Sequence, residues 1–340
     1  MNVGAGIAIA SIAGVMNGLF PLPMKANKAW AWENNWLPFS LLSLGIFPAL
    51  IAVYSVPQLQ AALQHVTFAD IIATMICGAL VYTGSLLFGI SIVYAGLTLS
   101  FALLVGSMNV IGILVPRVLL NHSLLASGAD WLVLAGVALS TVSVVLAFLA
   151  GKWRGGDRED VAQAPAQRIL GSILAMLGGI LSGLLPVAVA MPWAHRLFSS
   201  SMSYGGASPV GASNAVLCLI LFGGAIPNCS YCVYLLRKNH TSANYLAHKC
   251  YWMTILAMAI LYSASVALWG VAISPSLLGV LGSSVGWALF VGMIVLSSTA
   301  AGLFAGEWKS SVPRALTALA GGIVCLLSSM VLICVGNYLG

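Results

Sequence analysis

The side chains that could meet a solute inside this chain are polar but neutral. Asn17, Asn109, Asn214 and Asn228 fall within long apolar stretches, together with Tyr82, Tyr231, Tyr234, Tyr262, Trp269 and Trp287. An amide both donates and accepts hydrogen bonds, so it can pair with hydroxyls, and an aromatic face covers C–H surface. As a set these residues fit a small, neutral, hydroxyl-rich solute. Asn17, Asn109 and Asn228 are the expected contacts, and Tyr262, Trp269 or Trp287 the aromatic wall. For any one asparagine, interhelical packing is an equal account, because an unpaired amide in hydrocarbon is costly and must find some partner. A charged solute would need a fixed countercharge, and no charged residue falls at mid-stretch.

Several chemistries are missing from the sequence. There is no G-x-x-x-x-G-K-S/T, so ATP-driven work would need another subunit, and no H-E-x-x-H or G-x-S-x-G for hydrolysis. Histidines 65, 122, 195, 240 and 248 all fall in loops or at stretch ends. Cys229 and Cys232 form a single C-x-x-C without a second pair or histidines at ligand spacing, which reads as helix packing rather than a metal or redox site. No metal, organic cofactor, ATP or nucleic acid is expected.

The elements that must position these residues are membrane helices. Of 340 residues 61% are hydrophobic and 6% charged, against roughly a quarter charged in a soluble domain. The few charges separate apolar runs of about 20 residues, the length a helix needs to cross a bilayer. Ten spans are expected, near 3–23, 34–54, 70–93, 96–119, 131–150, 169–193, 210–236, 250–273, 277–304 and 315–337. Two of the turns, at Tyr94-Ala95-Gly96 and Ser274-Pro275-Ser276, must be very tight. The first run lacks a basic leader and a cleavage site and reads as a retained span. The net charge of +6 forms no continuous stripe; eleven of the 13 basic residues lie in odd-numbered loops, and Arg117 and Arg196 alone lie on the even side. That bias places the odd loops in the cytoplasm of a bacterial inner membrane and both termini in the periplasm. Trp30, Trp32, Trp36, Trp131, Trp153 and Trp308 lie at span ends and read as interfacial anchors.

The two halves resemble each other. Gly14-Val15-Met16-Asn17-Gly18-Leu19-Phe20-Pro21 matches Gly179-Ile180-Leu181-Ser182-Gly183-Leu184-Leu185-Pro186 as G-x-x-N/S-G-L-x-P, and Gly45-Ile46-Phe47-Pro48 parallels Gly224-Ala225-Ile226-Pro227. Five spans per half, an odd number, would give the halves opposite orientation. The expected architecture is therefore an all-α membrane protein of two inverted five-helix repeats, 1–151 and 169–340, joined by a charged cytoplasmic linker at 152–168. Spans five and ten offer only a few hydroxyls and look peripheral. Proline at 21 and 186 should interrupt its helix and free backbone groups beside a central pathway.

The loop after the first span reads Pro23-x-Lys25-x-x-Lys28-x-Trp30-x-Trp32-Glu33. With Gly84 to Gly89 leading to Tyr94-x-Gly96, the Gly223-Gly224-Ala225-Ile226-Pro227-Asn228 run, and Glu307-Trp308-Lys309, it resembles the bacterial L-rhamnose/proton symporter family of the drug/metabolite transporter superfamily. The resemblance covers essentially the whole chain and implies the ten-helix drug/metabolite transporter fold, inward movement of a deoxyhexose, and proton coupling. In one place the chain departs from the family. Acidic and amide residues that the family carries near the turn into the ninth span are replaced by Ser274-Pro275-Ser276-Leu277-Leu278-Gly279, and no carboxylate occurs between Asp160 and Glu307.

Proton coupling requires a group whose protonation depends on conformation. Of the carboxylates near spans, Asp70 and Asp130 stand where a helix start favours them as caps, and Glu307 adjoins Lys309. Glu33 is the expected carrier, since a gate closing near Gly18 and Pro21 would strip water from it; His195 is the second choice. The plainer account pairs Glu33 with Lys25 or Lys28 and leaves His195 on the surface. The expected function is import of L-rhamnose or a related sugar by proton symport. The alternatives are an exporter or facilitator of another small neutral metabolite, a non-transporting membrane sugar sensor, and an intramembrane enzyme, for which no reactive constellation is present.

Overall fold

The computed structural model describes all residues except 1, 96, 120–127, 154–164, 248, 284, 305–311 and 340. Every regular element among the described residues is helical. Among the described residues nine helical segments are long and apolar enough to cross a membrane, which makes the chain a multi-pass membrane protein. The tenth expected span corresponds to a helix at Leu97–Leu119 whose apolar stretch among the described residues, Leu103–Pro116, is shorter. The linker expected at 152–168 lies mostly outside the described residues, as do Glu307 and Trp308.

The order of helices is α1 (Val3–Leu19), α2 (Trp32–Ser40), α3 (Phe47–Ser55), α4 (Leu59–Gln64), α5 (Phe68–Ala95), α6 (Leu97–Leu119), α7 (Gly128–Trp153), α8 (Pro165–Ser182), α9 (Leu185–Ala190), α10 (Pro192–Ser203), α11 (Pro209–Asn239), α12 (Asn244–Ala247), α13 (Tyr251–Ala272), α14 (Val285–Phe304) and α15 (Pro313–Leu339). Two compact units are built from them. The first takes Met1–Tyr82 and Ala188–Gly279, the second Thr83–Val187 and Val280–Gly340, so each unit draws one segment from each half of the chain.

The prolines punctuate the spans as their chemistry requires, since each lacks a backbone donor. Pro21 stands just past the end of α1 and caps a short 3-10 turn at Leu22–Ala26, and Pro186 follows the break between α8 and α9. α2 and α3 form one span through a π-type segment at Leu41–Ile46, in which the Phe47 amide donates to the Leu42 carbonyl five residues back. The next amide in that register would be residue 48, a proline, so the Ser43 carbonyl loses its helical donor; the Ser263 hydroxyl of α13 supplies one at 3.4 Å.

Two span boundaries and one helix differ from the sequence reading. The ninth span starts at Val285, not 277, because Leu278 is fully buried and packs on Gly6 of α1 while Gly279 turns the chain at φ 54°. The seventh runs on through Asn239 and ends at His240, a left-handed residue. α10 was not anticipated; its apolar residues Ala194 and Leu197 are buried while His195 and Arg196 are exposed, a spacing lost in a run that otherwise reads as loop.

In the second unit α7 and α15 pack along their length. Gly136 faces Ile333, Gly336 faces Val133, and Ser143 Oγ donates to the Gly322 carbonyl at 2.7 Å. Gly84 on α5 and Gly178 on α8 meet backbone to backbone. In the first unit α1 runs against α13, and α11 crosses α5 where Gly78 and Gly223 face the carbonyls of Ile220 and Met75.

Candidate functional site

In the first unit the predicted residues Asn17, Asn228 and Tyr262 belong to one connected cluster of packed side chains. On α1, Asn17 precedes Phe20 by about one turn; on α13, Ser265 follows Tyr262 at the same spacing. The side-by-side packing of these helices lets Asn17 Nδ2 donate to Ser265 Oγ at 3.1 Å. Phe20 stacks on Phe39 with centroids 5.3 Å apart, and the edge of Tyr262 meets both rings. The hydroxyls of Tyr262 and Tyr82 lie 2.7 Å apart, and Trp36 leans on Phe39. The Trp36 indole N–H donates to Asn228 Oδ1 at 3.1 Å, while Asn228 Nδ2 donates to the carbonyls of Gly224 and Tyr82. Trp32 stacks on Trp36 at 5.2 Å.

The cluster is chemically uniform: amides, phenols and aromatic faces, with no ionised group. Asn17 is half-buried, and its carbonyl oxygen accepts no hydrogen bond among the described residues. Asn228 is 1% exposed and its amide hydrogens are both engaged, so what it controls is the placement of Trp36. Phe20, Phe39, Tyr82 and Trp36 were not among the expected contacts. The signal for them was spacing, Asn17 to Phe20 and Trp36 to Phe39 each being three residues apart.

The reading of Trp30 as an interfacial anchor is overturned. Trp30 is 6% exposed, is ringed by Tyr245, Tyr251 and Trp252, and donates to the Asn244 carbonyl. Nearness to a span end suggested lipid headgroups; the loop beyond the end folds back and covers the ring instead.

That covering loop forms a polar clasp. Glu33 is 3% exposed, and its Oε1 accepts from Asn239 Nδ2 at 2.8 Å and from Thr241 Oγ1 at 2.9 Å. Asn34 donates to the Thr241 carbonyl and accepts from Asn244. Asn27 donates to Asn35 at 2.7 Å and accepts from Thr254. The chain entering α2 is thereby tied to the chain between α11 and α13. Nearby, partial burial pushes the Tyr245 phenol up to about 12.

At the other end of α11 the second charged group appears. Thr67 and Asp70 cap the start of α5 reciprocally, the threonine hydroxyl accepting from the Asp70 amide and donating to its carboxylate. Asp70 was expected to cap and does so. It also accepts a two-pronged contact from Arg196 of α10, 2.9 Å from Nε and 2.5 Å from Nη2. The carboxylate hydrogen-bonded to it raises the Arg196 guanidinium above its ordinary range. His195 is exposed and its ring lies parallel to Phe198 at 6.1 Å.

The remaining expected contacts divide between the units. Trp269 is 1% exposed on α13 of the first unit. Asn109 and Trp287 belong to the second, where Asn109 Nδ2 donates to Ser140 of α7 and the Trp287 indole fills the space over Gly112 of α6. Asn109 Oδ1 has no donor among the described residues. Among those residues no cluster of three or more histidines, cysteines or carboxylates could hold a metal ion.

Comparison with known proteins places the chain among transport proteins. The chain is 26% identical over 323 residues to the L-rhamnose-proton symporter of Yersinia pestis bv. Antiqua (strain Antiqua), covering 91% of this chain and 90% of that one. It is likewise 26% identical to the L-rhamnose-proton symporter of Yersinia pseudotuberculosis serotype O:1b (strain IP 31758), over 91% and 90% of the two chains. A solved crystal structure shares the fold at 13% identity, with a TM-score of 0.60 over 99% of each chain. The two Yersinia relatives are transporters rather than enzymes, and the sequence profile of the family described as L-rhamnose-proton symport protein (RhaT) matches residues 2–338, so this chain belongs to that family.

Proposed function

We propose that this protein is a secondary active transporter of the bacterial inner membrane that imports L-rhamnose or a related deoxyhexose together with protons. The observation that carries the reading is the uncharged cluster of Asn17, Tyr262, Tyr82, Phe20, Phe39 and Trp36. A deoxyhexose presents hydroxyls on its edges and C–H groups, with an added methyl, on its faces; amides and phenols serve the first and aromatic rings the second. In this reading Asn17 and Tyr262 touch the sugar and Asn228 acts by holding Trp36. Trp269, on the same helix as Tyr262, is the site's aromatic wall, and Asn109 and Trp287 are proposed sugar contacts within the second unit.

Ten spans in two inverted repeats, 1–151 and 169–340, are part of the proposal. Supporting it, the matched motifs fall where α1 and α8 both end, and helices at corresponding places in the two halves make corresponding pairs: α1 with α13 in the first unit, α8 with α5 in the second. Both termini face the periplasm. Labelling of single introduced cysteines in intact cells tests that orientation, which fails if residue 2 is shielded while 158 is reached from outside.

The test of function is uptake into proteoliposomes over a panel of labelled sugars, with and without an imposed proton gradient. L-Rhamnose should accumulate only with the gradient acid outside. Uptake that equilibrates and ignores the gradient would identify a facilitator instead. In the same assay Asn17→Ala and Asn228→Ala should weaken apparent sugar affinity about tenfold, the equivalent of about 1.4 kcal/mol, a typical worth for a hydrogen bond to a buried group. Thr141→Ala is the proper control, since that hydroxyl bonds only its own helix at Val137, whereas Ser140 is bonded to Asn109. Equal losses in all three variants would remove the case for this site.

A further inference from the structure

Where α3, α11 and α13 meet, a small cavity is lined by Pro48, Asn214, Leu217, Cys218, Ser263 and Val266, among others. It lies within the first unit, on the side of α13 that carries Ser263 rather than Tyr262. Its free core is about the size of one water molecule. Asn214 is 8% exposed, yet its amide makes no hydrogen bond among the described residues. Gly270 opposite leaves room for its oxygen, since a β-carbon there would strike Asn214 Oδ1. Ser263, 4% exposed, lines the same space and reaches the Ser43 carbonyl only at 3.4 Å. Around the π-type segment the hydroxyls of Ser40 and Ser43 are also buried without partners among the described residues.

We propose that this junction is a binding site for a single water molecule, held by the Asn214 amide and the Ser263 hydroxyl. Buried polar groups in native proteins are satisfied by protein or by ordered water, and a polar void of this size is where such water is retained. The donor set selects water over a cation. No carboxylate lines the cavity, and an amide that offers N–H as well as C=O needs a partner that can both accept and donate. The sequence supplies the reason for the site. Proline at 48 removes the amide that would complete the π register, so the Ser43 carbonyl is left to Ser263; that weak contact leaves the serine hydroxyl free to accept from water. The bound water thus satisfies the Asn214 amide and the remaining capacity of Ser263, whose proton serves the interrupted span, and the site stands whether or not the protein carries sugar.

Hydroxyl-radical labelling by brief X-ray pulses, read by mass spectrometry on the purified full-length protein, tests it, because radicals form from bound water in place. The reporter is Leu217, which lines the cavity at 2% exposure; the reference is Ile220 on the same helix, at 0% and outside the lining. Leu217 should be oxidised several times faster than Ile220, and the excess should vanish in Asn214→Leu, which fills the void with an apolar side chain. Equal labelling of the two residues in the unmodified protein overturns the site, as does an excess that persists in Asn214→Leu, which would show water arriving from bulk. Should Asn214→Leu fail to fold, Ser263→Ala removes one partner at nearly constant volume, and an unchanged excess there overturns the proposal equally.

Discussion

Glu33→Gln is expected to abolish proton-driven accumulation of sugar in proteoliposomes while exchange of sugar down its own gradient survives. Glutamine keeps the length of the side chain and an oxygen that can accept from Asn239 and Thr241, so the clasp at the start of α2 can re-form. What it cannot do is gain or lose a proton. In the unmodified protein both donors converge on one carboxylate oxygen in a place that is 3% exposed. Hydrogen bonds to an ionised acceptor are about twice as strong as neutral ones, so protonation of Glu33 weakens the tie between α2 and the chain following α11. A carrier that couples protons to a gate needs this link between charge and contact. His195, exposed on α10, makes no comparable tie, and His195→Gln should change accumulation little. Undiminished accumulation in Glu33→Gln would remove it as the carrier, and loss in His195→Gln instead would move the assignment there.

How much of this was legible beforehand depended on the length scale of the signal. Hydropathy resolves runs of about 20 residues, and nearly every span was found within a few residues of its place. The same averaging hid what is short. α10 carries a half-buried face across only twelve residues with His195 and Arg196 in it, so it reads as loop. The ninth span was begun too early because Leu277 and Leu278 are as apolar as any membrane residue, yet Leu278 packs on Gly6 within the protein.

The site was legible by residue type more than by partner. A neutral asparagine in hydrocarbon announces that it has a partner without naming it. Asn17 found Ser265, 248 positions away, and Asn228 found Trp36, 192 positions away. Nothing local to either residue encodes those choices; they follow from which helices pack together. One tryptophan shows the converse error. Trp30 has the sequence context of a headgroup anchor, but the clasp formed by Asn27, Asn34 and Asn35 ties down the chain that covers it. Only the amide-rich run Asn34-Asn35, unusual at the start of an apolar span, hinted that this end is buried in protein.

The largest loss of stability is expected from Gly223→Val. A β-carbon at 223 would fall on the Met75 carbonyl oxygen, and one at Gly78 would fall on that of Ile220, so α5 and α11 touch through backbone on both sides of their crossing. Flexible side chains can yield to an added methyl; two helix backbones can only move apart, which places the cost near the upper part of the overpacking range, about 3 kcal/mol. Separation would reach the candidate site directly. Gly224, the next residue, lies against the Tyr82 ring, and the Asn228 amide holds the Tyr82 carbonyl from one turn further on. Parting α5 from α11 therefore loosens Tyr82, its hydroxyl contact with Tyr262, and the asparagine that positions Trp36. Gly45→Ala supplies the comparison, since nothing lies within 4 Å of a β-carbon there although Gly45 matches Gly224, the neighbour of Gly223, in the repeated G-x-x-P pattern. Thermal unfolding in detergent should show Gly223→Val melting well below the unmodified protein and binding sugar poorly, with Gly45→Ala unchanged in both. A Gly223→Val protein that melts normally would mean that α5 and α11 do not cross at these glycines, and the route from their packing to Tyr82 and Trp36 would fall with it.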